Sequence, residues 1–343
     1  MSKVDWPLAV TVAANVAGRY PLEGTYHETR LGRDMPGHVL RAAALVTEET
    51  GLVAPGLPDV AVIGRTRWVE SNVESFTALL APVEERLGTQ AGVGARLAGR
   101  VMGAEMGAVL GFLSRRVLGQ YELVLPNADG GAGDTVLFVG PNLLKMERDQ
   151  AFRPDEFRFW VALHECTHRL QFTAVPWLRP YFLGLVDDLV ATSKPESGRI
   201  QRIVAEVRDA ATEGRPLVDE AGVFGLFASP EQRIVLDRVQ ALMSLLEGHG
   251  HVVMDRIGAR ELVTQGRMSR LLKARRADKR TAAFMRLIGL EMKLRQYEMG
   301  ERFIKAVERH ADWETLNHVW DGPDALPTLT EIGEPRRWLS RIA

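Results

Sequence analysis

The segment 164–168, His-Glu-Cys-Thr-His, constrains this chain more than any other feature. On an α-helix, side chains four residues apart lie on the same face, so His164 and His168 can offer two imidazoles to one metal ion. Glu165 directly follows the first histidine, which places its carboxylate beside the open position of such a metal. The pattern therefore predicts two metal ligands and, in Glu165, a general base that accepts a proton from a bound water.

The surrounding stretch favours a helix that carries this motif. Residues 154–173 begin with a proline and two acids, which are typical of a first helical turn, and no further glycine or proline interrupts them. Apolar residues recur at helical spacing and predict a buried stripe, which consists of Phe159, Ala162, Leu163, Cys166 and Leu170. Two core histidines without a metal are the competing interpretation, but a glutamate between them on such a helix favours a metal site.

A catalytic zinc ion with two histidines and a water needs a third protein ligand. The extended pattern HExxHxxGxxH is excluded, because Gln171 and Ala174 stand where it requires Gly and His. A second helical pattern from Pro230 onward carries Glu247 and His251 on one face, one turn apart. We expect Glu247 to be the third ligand. His251 would then orient a ligand or contact the substrate. The alternative, in which His251 is the third ligand, stays open.

Two glycines, Gly248 and Gly250, lie inside this second helical pattern. Within a helix, each glycine lowers stability by about 1 kcal/mol relative to Ala. A glycine can still be favoured at such a position when another backbone must approach the helix closely. If the approaching backbone belongs to the helix with the two histidines, Glu247 reaches the metal.

Segments 164–172 and 246–255 resemble those of zincin-like metallopeptidases, specifically a mostly actinobacterial group of hydrolases linked to deazaflavin-coenzyme biosynthesis. Further similar segments are 67–72, 117–121 and 294–297. The resemblance spans nearly the whole chain and implies a mainly α (α+β) fold of zincin type with a small β-hairpin or sheet beside the HExxH helix. It also implies a zinc ion and hydrolase activity.

The resemblance assigns roles to individual residues. It implies His164 and His168 as zinc ligands, Glu165 as the base and Glu247 as the third ligand. Zincins commonly add a Tyr or His that donates to the oxyanion, and the candidates here are His251 and Tyr297. For Tyr297, which lies in a similar segment, a half-buried packing role is the competing interpretation.

Helical patterns dominate the chain. They cover residues 6–18, 37–50, 68–86 and 93–118, a β-hairpin is predicted over 121–139, and further helices follow. We expect a single zincin-like domain over 1–343, or two lobes that divide at residue 150, with the hairpin in the first and both candidate metal-binding helices in the second.

Composition restricts location and partners. The formal net charge of −1 predicts no general attraction to nucleic acid or to an anionic membrane. Cys166 is the single cysteine, so no intrachain disulfide can form and a cytoplasmic location is expected. Its place on the apolar stripe indicates a buried packing thiol rather than a nucleophile.

The expected chemistry is metal-assisted hydrolysis of a peptide or small amide. Zinc would lower the pKa of a water, and Glu165 would accept its proton and pass it to the leaving amine. Two alternatives stay open, namely a zincin fold that serves as an accessory or binding module, and hydrolysis of a non-peptide amide in cofactor biosynthesis.

Overall fold

The computed structural model describes residues 4–87, 93–124, 133–191, 230–276 and 291–342. In these ranges the protein is mainly helical with one three-stranded sheet, which confirms the predicted fold class. The chain forms two compact units, of which the first comprises Met1–Ala174 and Arg256–Met268 and the second comprises Val175–Asp255 and Ser269–Ala343. The division of this chain into domains stays a prediction.

The first unit contains six helices among its described residues before residue 175, together with the sheet. The helices are α1 (Trp6–Ala17), α2 (Tyr26–Thr50), α3 (Arg65–Leu87), α4 (Val93–Ser114), α5 (Gly140–Asp149) and α6 (Pro154–Ala174). The strands are β1 (Asp59–Ile63), β2 (Gly119–Glu122) and β3 (Thr135–Val139). Helix α6 therefore carries both histidines of the motif.

Helices α1 and α4 pack closely because three glycines on α4 present no side chain. A methyl group on Gly103, Gly107 or Gly111 would overlap a backbone oxygen of Asp5, Ala9 or Ala13, respectively. The spacing of four residues places these glycines on one face of α4, so the helix backbones can approach each other.

The sheet has the strand order β1-β3-β2, with β1 parallel and β2 antiparallel to the central strand. The β2–β3 pairing confirms the predicted hairpin, although β2 begins at Gly119 instead of Tyr121. Strand β1 has no counterpart among the sequence predictions. It spans only five residues, and its hydrogen-bonding partner lies about 75 positions later in the chain, so local periodicity does not reveal it.

Helix α2 begins at Tyr26 and continues through Pro36, whereas the predicted helix begins at residue 37. Buried residues at helical spacing lie on both sides of the proline: Leu31, Met35, Val39, Ala42 and Val46. Helix α2 packs against α6 with this face. The apolar area buried there outweighs the local cost of a proline inside the helix.

Further helices follow α6, and residues 256–268 of this part of the chain belong to the first unit. They are α7 (Leu178–Ala191), α8 (Pro230–Glu261), α9 (Gln265–Arg276), α10 (Glu291–His310), α11 (Trp313–Asn317), α12 (Leu329–Gly333) and α13 (Pro335–Ile342). None of the helices within the described ranges is both long enough and apolar enough to cross a membrane.

Helices α8 and α10 cross at two glycines. A methyl group on Gly248 would overlap the backbone of Gly300, and one on Gly300 would overlap the carbonyl group of Ser244. A close approach of another backbone at Gly248 is therefore present, and that backbone is the one of α10. This contact holds the turn of α8 that carries Glu247.

Candidate metal centre

Helix α6 presents the predicted apolar stripe to the core of the first unit. Every member is buried: Phe159, Ala162, Leu163, Cys166 and Leu170. The Cys166 thiol lies 3.7 Å from the carbonyl oxygen of Val39 on α2. Burial raises the pKa of Cys166 to about 12, so the thiol stays protonated and acts as a packing group, as predicted.

The C-terminal half of α6 is held by a buried arginine next to the second histidine. Arg169 donates to both carboxylate oxygens of Asp134 at 2.7 Å and to the carbonyl oxygens of Pro55 and Gly56 at 3.0 and 3.1 Å. These bonds join α6 to the residues that precede β3 and β1. The position of His168 along the helix is thereby tied to the sheet.

The two histidines of the motif face a common point. Nε2 of His164 lies 3.1 Å from Nε2 of His168, and the rings are inclined by 79°. Two nitrogens bound tetrahedrally at about 2.0–2.1 Å from one zinc ion lie roughly 3.3 Å apart. The observed separation is thus close to the one that zinc ligation requires.

A glutamine one turn further along α6 orients the second histidine. Nδ1 of His168 lies 3.0 Å from Oε1 of Gln171, and Gln171 is fully buried. An amide oxygen only accepts, so Nδ1 carries the hydrogen and Nε2 keeps its lone pair. That is the tautomer that ligation through Nε2 needs.

Glu247 is buried on α8, in the second unit. Its carboxylate stays the predicted third ligand of the metal that His164 and His168 would bind. Two imidazole nitrogens and one carboxylate are the donor set of a class of catalytic zinc sites that keep one position open for water. The donor chemistry therefore fits zinc.

The predicted base, Glu165, is buried and lies against strand β2. A methyl group on Gly119 would lie 2.8 Å from Oε1 of the carboxylate. Burial removes most of the water that would otherwise compete for this carboxylate.

The remaining predicted residues belong to the helices that follow. His251 is buried on α8, with Nε2 at 3.6 Å from Oδ2 of Asp255 and 3.8 Å from Oε2 of Glu301. These carboxylates can orient the imidazole ring. Tyr297 lies on α10, and its side chain is outside the described part of the structure. The roles predicted for both residues stay predictions.

Comparison with known proteins identifies the family. A family model described as zincin-like metallopeptidase matches residues 4–339. The chain belongs to this family. The zincin-like chain is also similar to a crystal structure from Chloroflexus aurantiacus described as "a putative hydrolase with a novel fold". The TM-score is 0.74 and the sequence identity is 29%, and the match covers 99% of this chain and 98% of that chain. No curated protein matches.

Family membership and the similar structure support a metal-dependent hydrolase as the class of this zincin-like protein. The resemblance to zincin-like metallopeptidases is confirmed, while its link to deazaflavin-coenzyme biosynthesis stays a prediction.

Sequence reasoning missed two residues of the zincin-like site. Gln171 stands three positions after His168, a spacing that places side chains next to each other on a helix, so a signal for its contact was present. The proximity of Gly119 to Glu165 had no such signal, because it depends on how a strand packs on a helix 46 positions away.

Proposed function

We propose that this protein is a zinc-dependent peptidase in which His164, His168 and Glu247 bind the ion and Glu165 is the general base. The observation that carries the proposal is the pair of imidazole nitrogens of His164 and His168, which lie 3.1 Å apart on one helix. Glu165 directly follows the first of these ligands, and a site built only for structure would have no need of it.

When bound by these residues, a zinc ion would supply an acidified water and would polarise the carbonyl oxygen of a substrate. Glu165 then accepts the proton of the attacking water and delivers it to the leaving amine. Gln171 holds His168 in the tautomer that leaves Nε2 available as a ligand. His251 and Tyr297 are the proposed donors to the developing oxyanion.

Strand β2 supports a peptide as the substrate. It lies at an edge of the sheet and, among the described residues, pairs with β3 alone. An edge strand offers backbone N–H and C=O groups that can hold an extended peptide by strand addition. Because Gly119 of β2 lies against Glu165, a peptide added to this edge would run close to the general base.

Net charge and cysteine content support the proposals on the location of the protein and on its partner. We propose a cytoplasmic location, since the single cysteine is buried and can form no intrachain disulfide. A near-neutral net charge of −1 supports a peptide or small amide, rather than nucleic acid, as the partner.

The test combines metal analysis with digestion of a peptide library by the wild-type protein and by Glu165→Gln. We expect about one zinc per chain in both proteins and cleavage by the wild type alone, because the amide keeps the shape of Glu165 but cannot accept the proton. Absence of bound zinc would overturn the proposal. Cleavage of non-peptide amides alone would support the amide hydrolase, and zinc binding without any hydrolysis would support the accessory module.

A further inference from the structure

Gly119 of β2 lies against the carboxylate-bearing end of Glu165. A methyl group built on Gly119 would lie 2.7 Å from Cγ, 2.8 Å from Cδ and 2.8 Å from Oε1 of that side chain. These distances are well below the van der Waals separations of about 3.5–4.0 Å. Gly119 thus leaves room that the Glu165 side chain fills.

The backbone of β2 does not itself require glycine at this position. Gly119 is absent from the glycines with positive φ, and it lies in a regular antiparallel pairing opposite Phe138. An L-residue can adopt this extended conformation without strain. Glycine is therefore needed here because Glu165 occupies the space that a larger side chain would fill.

The strand cannot easily move away from α6. The side-chain oxygen of Gln120 accepts hydrogen bonds from Nε1 of Trp68 at 2.8 Å and from Nδ2 of Asn72 at 3.4 Å. The ring of Tyr121 stacks on Phe172 of α6, with centroids 6.3 Å apart and an interplanar angle of 18°. Contacts with α3 and with α6 thus fix the two residues that follow Gly119.

The group that a larger residue 119 would meet is the end of a flexible side chain. Where an added methyl meets backbone, as at Gly300, the helix itself must shift. At Gly119 the easier response is a new rotamer of Glu165, at a modest cost in conformational energy. The change would therefore act on the position of the carboxylate more than on the fold.

We propose that Gly119 is a positioning residue, which by lacking a side chain on the edge strand keeps the carboxylate of Glu165 where it accepts a proton. The proposal rests on the proposed role of Glu165 as general base. A base must lie within hydrogen-bonding reach of the proton it takes, about 2.6–3.2 Å, and a misplacement of about 1 Å can lower a rate by about 100-fold.

The decisive experiment does not need a substrate. Crystal structures of the wild type and of Gly119→Ala are compared, with Gly37→Ala as the matched control because a methyl group there meets nothing within 4 Å. We expect the Glu165 carboxylate to move by about 1 Å or more in Gly119→Ala alone, with zinc affinity unchanged within about twofold. A carboxylate that stays in place would overturn the proposal.

A double-mutant cycle of thermal stability tests the same contact if Gly119→Ala does not crystallise. Glu165→Ala removes the three atoms that a methyl group at residue 119 would meet. We expect Gly119→Ala to lower Tm by on the order of 2–4 °C in the wild-type background and by clearly less in the Glu165→Ala background. Equal losses in the two backgrounds would count against the contact.

Turnover provides a separate measurement. If the wild type cleaves a fluorogenic peptide from the library, Gly119→Ala should lower kcat by about 100-fold and leave KM within about threefold, because binding groups are untouched. An unchanged kcat would overturn the positioning role. Absence of hydrolysis by the wild type would refute the proposed peptidase, while the structures and the stability cycle would still decide whether Gly119 sets the position of Glu165.

Discussion

Nε2 of His164 lies 3.1 Å from Nε2 of His168, and no backbone distortion is needed to bring them there, since both residues lie on one uninterrupted helix. The separation follows from the helical repeat, in which residues four apart stand one above the other. A hydrogen bond between the rings accounts for this distance, and the common metal ion that we propose would hold the two nitrogens at a similar one.

His164→Ala should lower the zinc content of the purified protein from about one per chain to a small fraction of that value. Removing one of three ligands leaves too few donors for a four-coordinate site. Atomic emission analysis measures the content, and His27→Ala, which alters an exposed histidine on α2, is the matched control. Equal zinc in the two variants would argue against the site.

Gln171→Leu should weaken zinc binding by about 10–100-fold, because Nδ1 of His168 loses its acceptor and the ring loses its orientation. Competition with a chromophoric chelator measures the affinity. Gln171→Glu is the matched control, since a carboxylate still accepts the hydrogen of Nδ1, and it should bind zinc at least as tightly as Gln171→Leu does. Wild-type affinity in Gln171→Leu would show that the bond has no role in ligation.

Glu247→Ala should weaken zinc binding much more than His251→Ala, because only the first change removes a proposed ligand. His251→Ala should keep the metal and lower turnover, as expected for a group that contacts substrate. Titration of the apoprotein with zinc separates the two effects. If His251→Ala loses zinc and Glu247→Ala retains it, the two roles must be exchanged.

Gly300→Ala should destabilise the protein by about 1–3 kcal/mol or more, because the added methyl would overlap the carbonyl group of Ser244 on the crossing helix. Gly32→Ala is the matched control, as its methyl group would meet nothing within 4 Å and a helical Ala is favourable. Urea denaturation measures both changes. A neutral Gly300→Ala would mean that α8 and α10 can separate at little cost.

The contribution of Glu331 to the stability of the fold depends on pH. Burial opposes its ionisation, but hydrogen bonds from Arg341 and Thr328 outweigh this effect and hold the pKa below its usual value. Because the folded-state pKa is lowered, the stabilisation is present above the unfolded-state pKa and is lost as pH falls through the lower folded-state pKa. Glu331→Gln should therefore be less stable than wild type at pH 7, and the difference should shrink as pH falls through the folded-state pKa, as followed by thermal unfolding.

Much of the fold was predictable from local patterns. Periodicity located the helix with the two histidines, its buried stripe, and the pairing of β2 with β3. These features depend on interactions between residues a few positions apart, which repeat regularly along the chain. Strand β1 and the passage of α2 through Pro36 were not predicted, since each is stabilised by contacts with distant segments.

The candidate site likewise combines features that the sequence determines with features that only the tertiary structure determines. The amino-acid sequence by itself determined that His164 and His168 share a helical face with Glu165 beside them, because a helix repeats every 3.6 residues whatever surrounds it. Only the tertiary structure decided that Gly119 leaves space for the carboxylate of Glu165 and that Gly248 meets Gly300. Such contacts join segments far apart in the chain, and their geometry depends on the packing of whole helices and strands rather than on any local repeat.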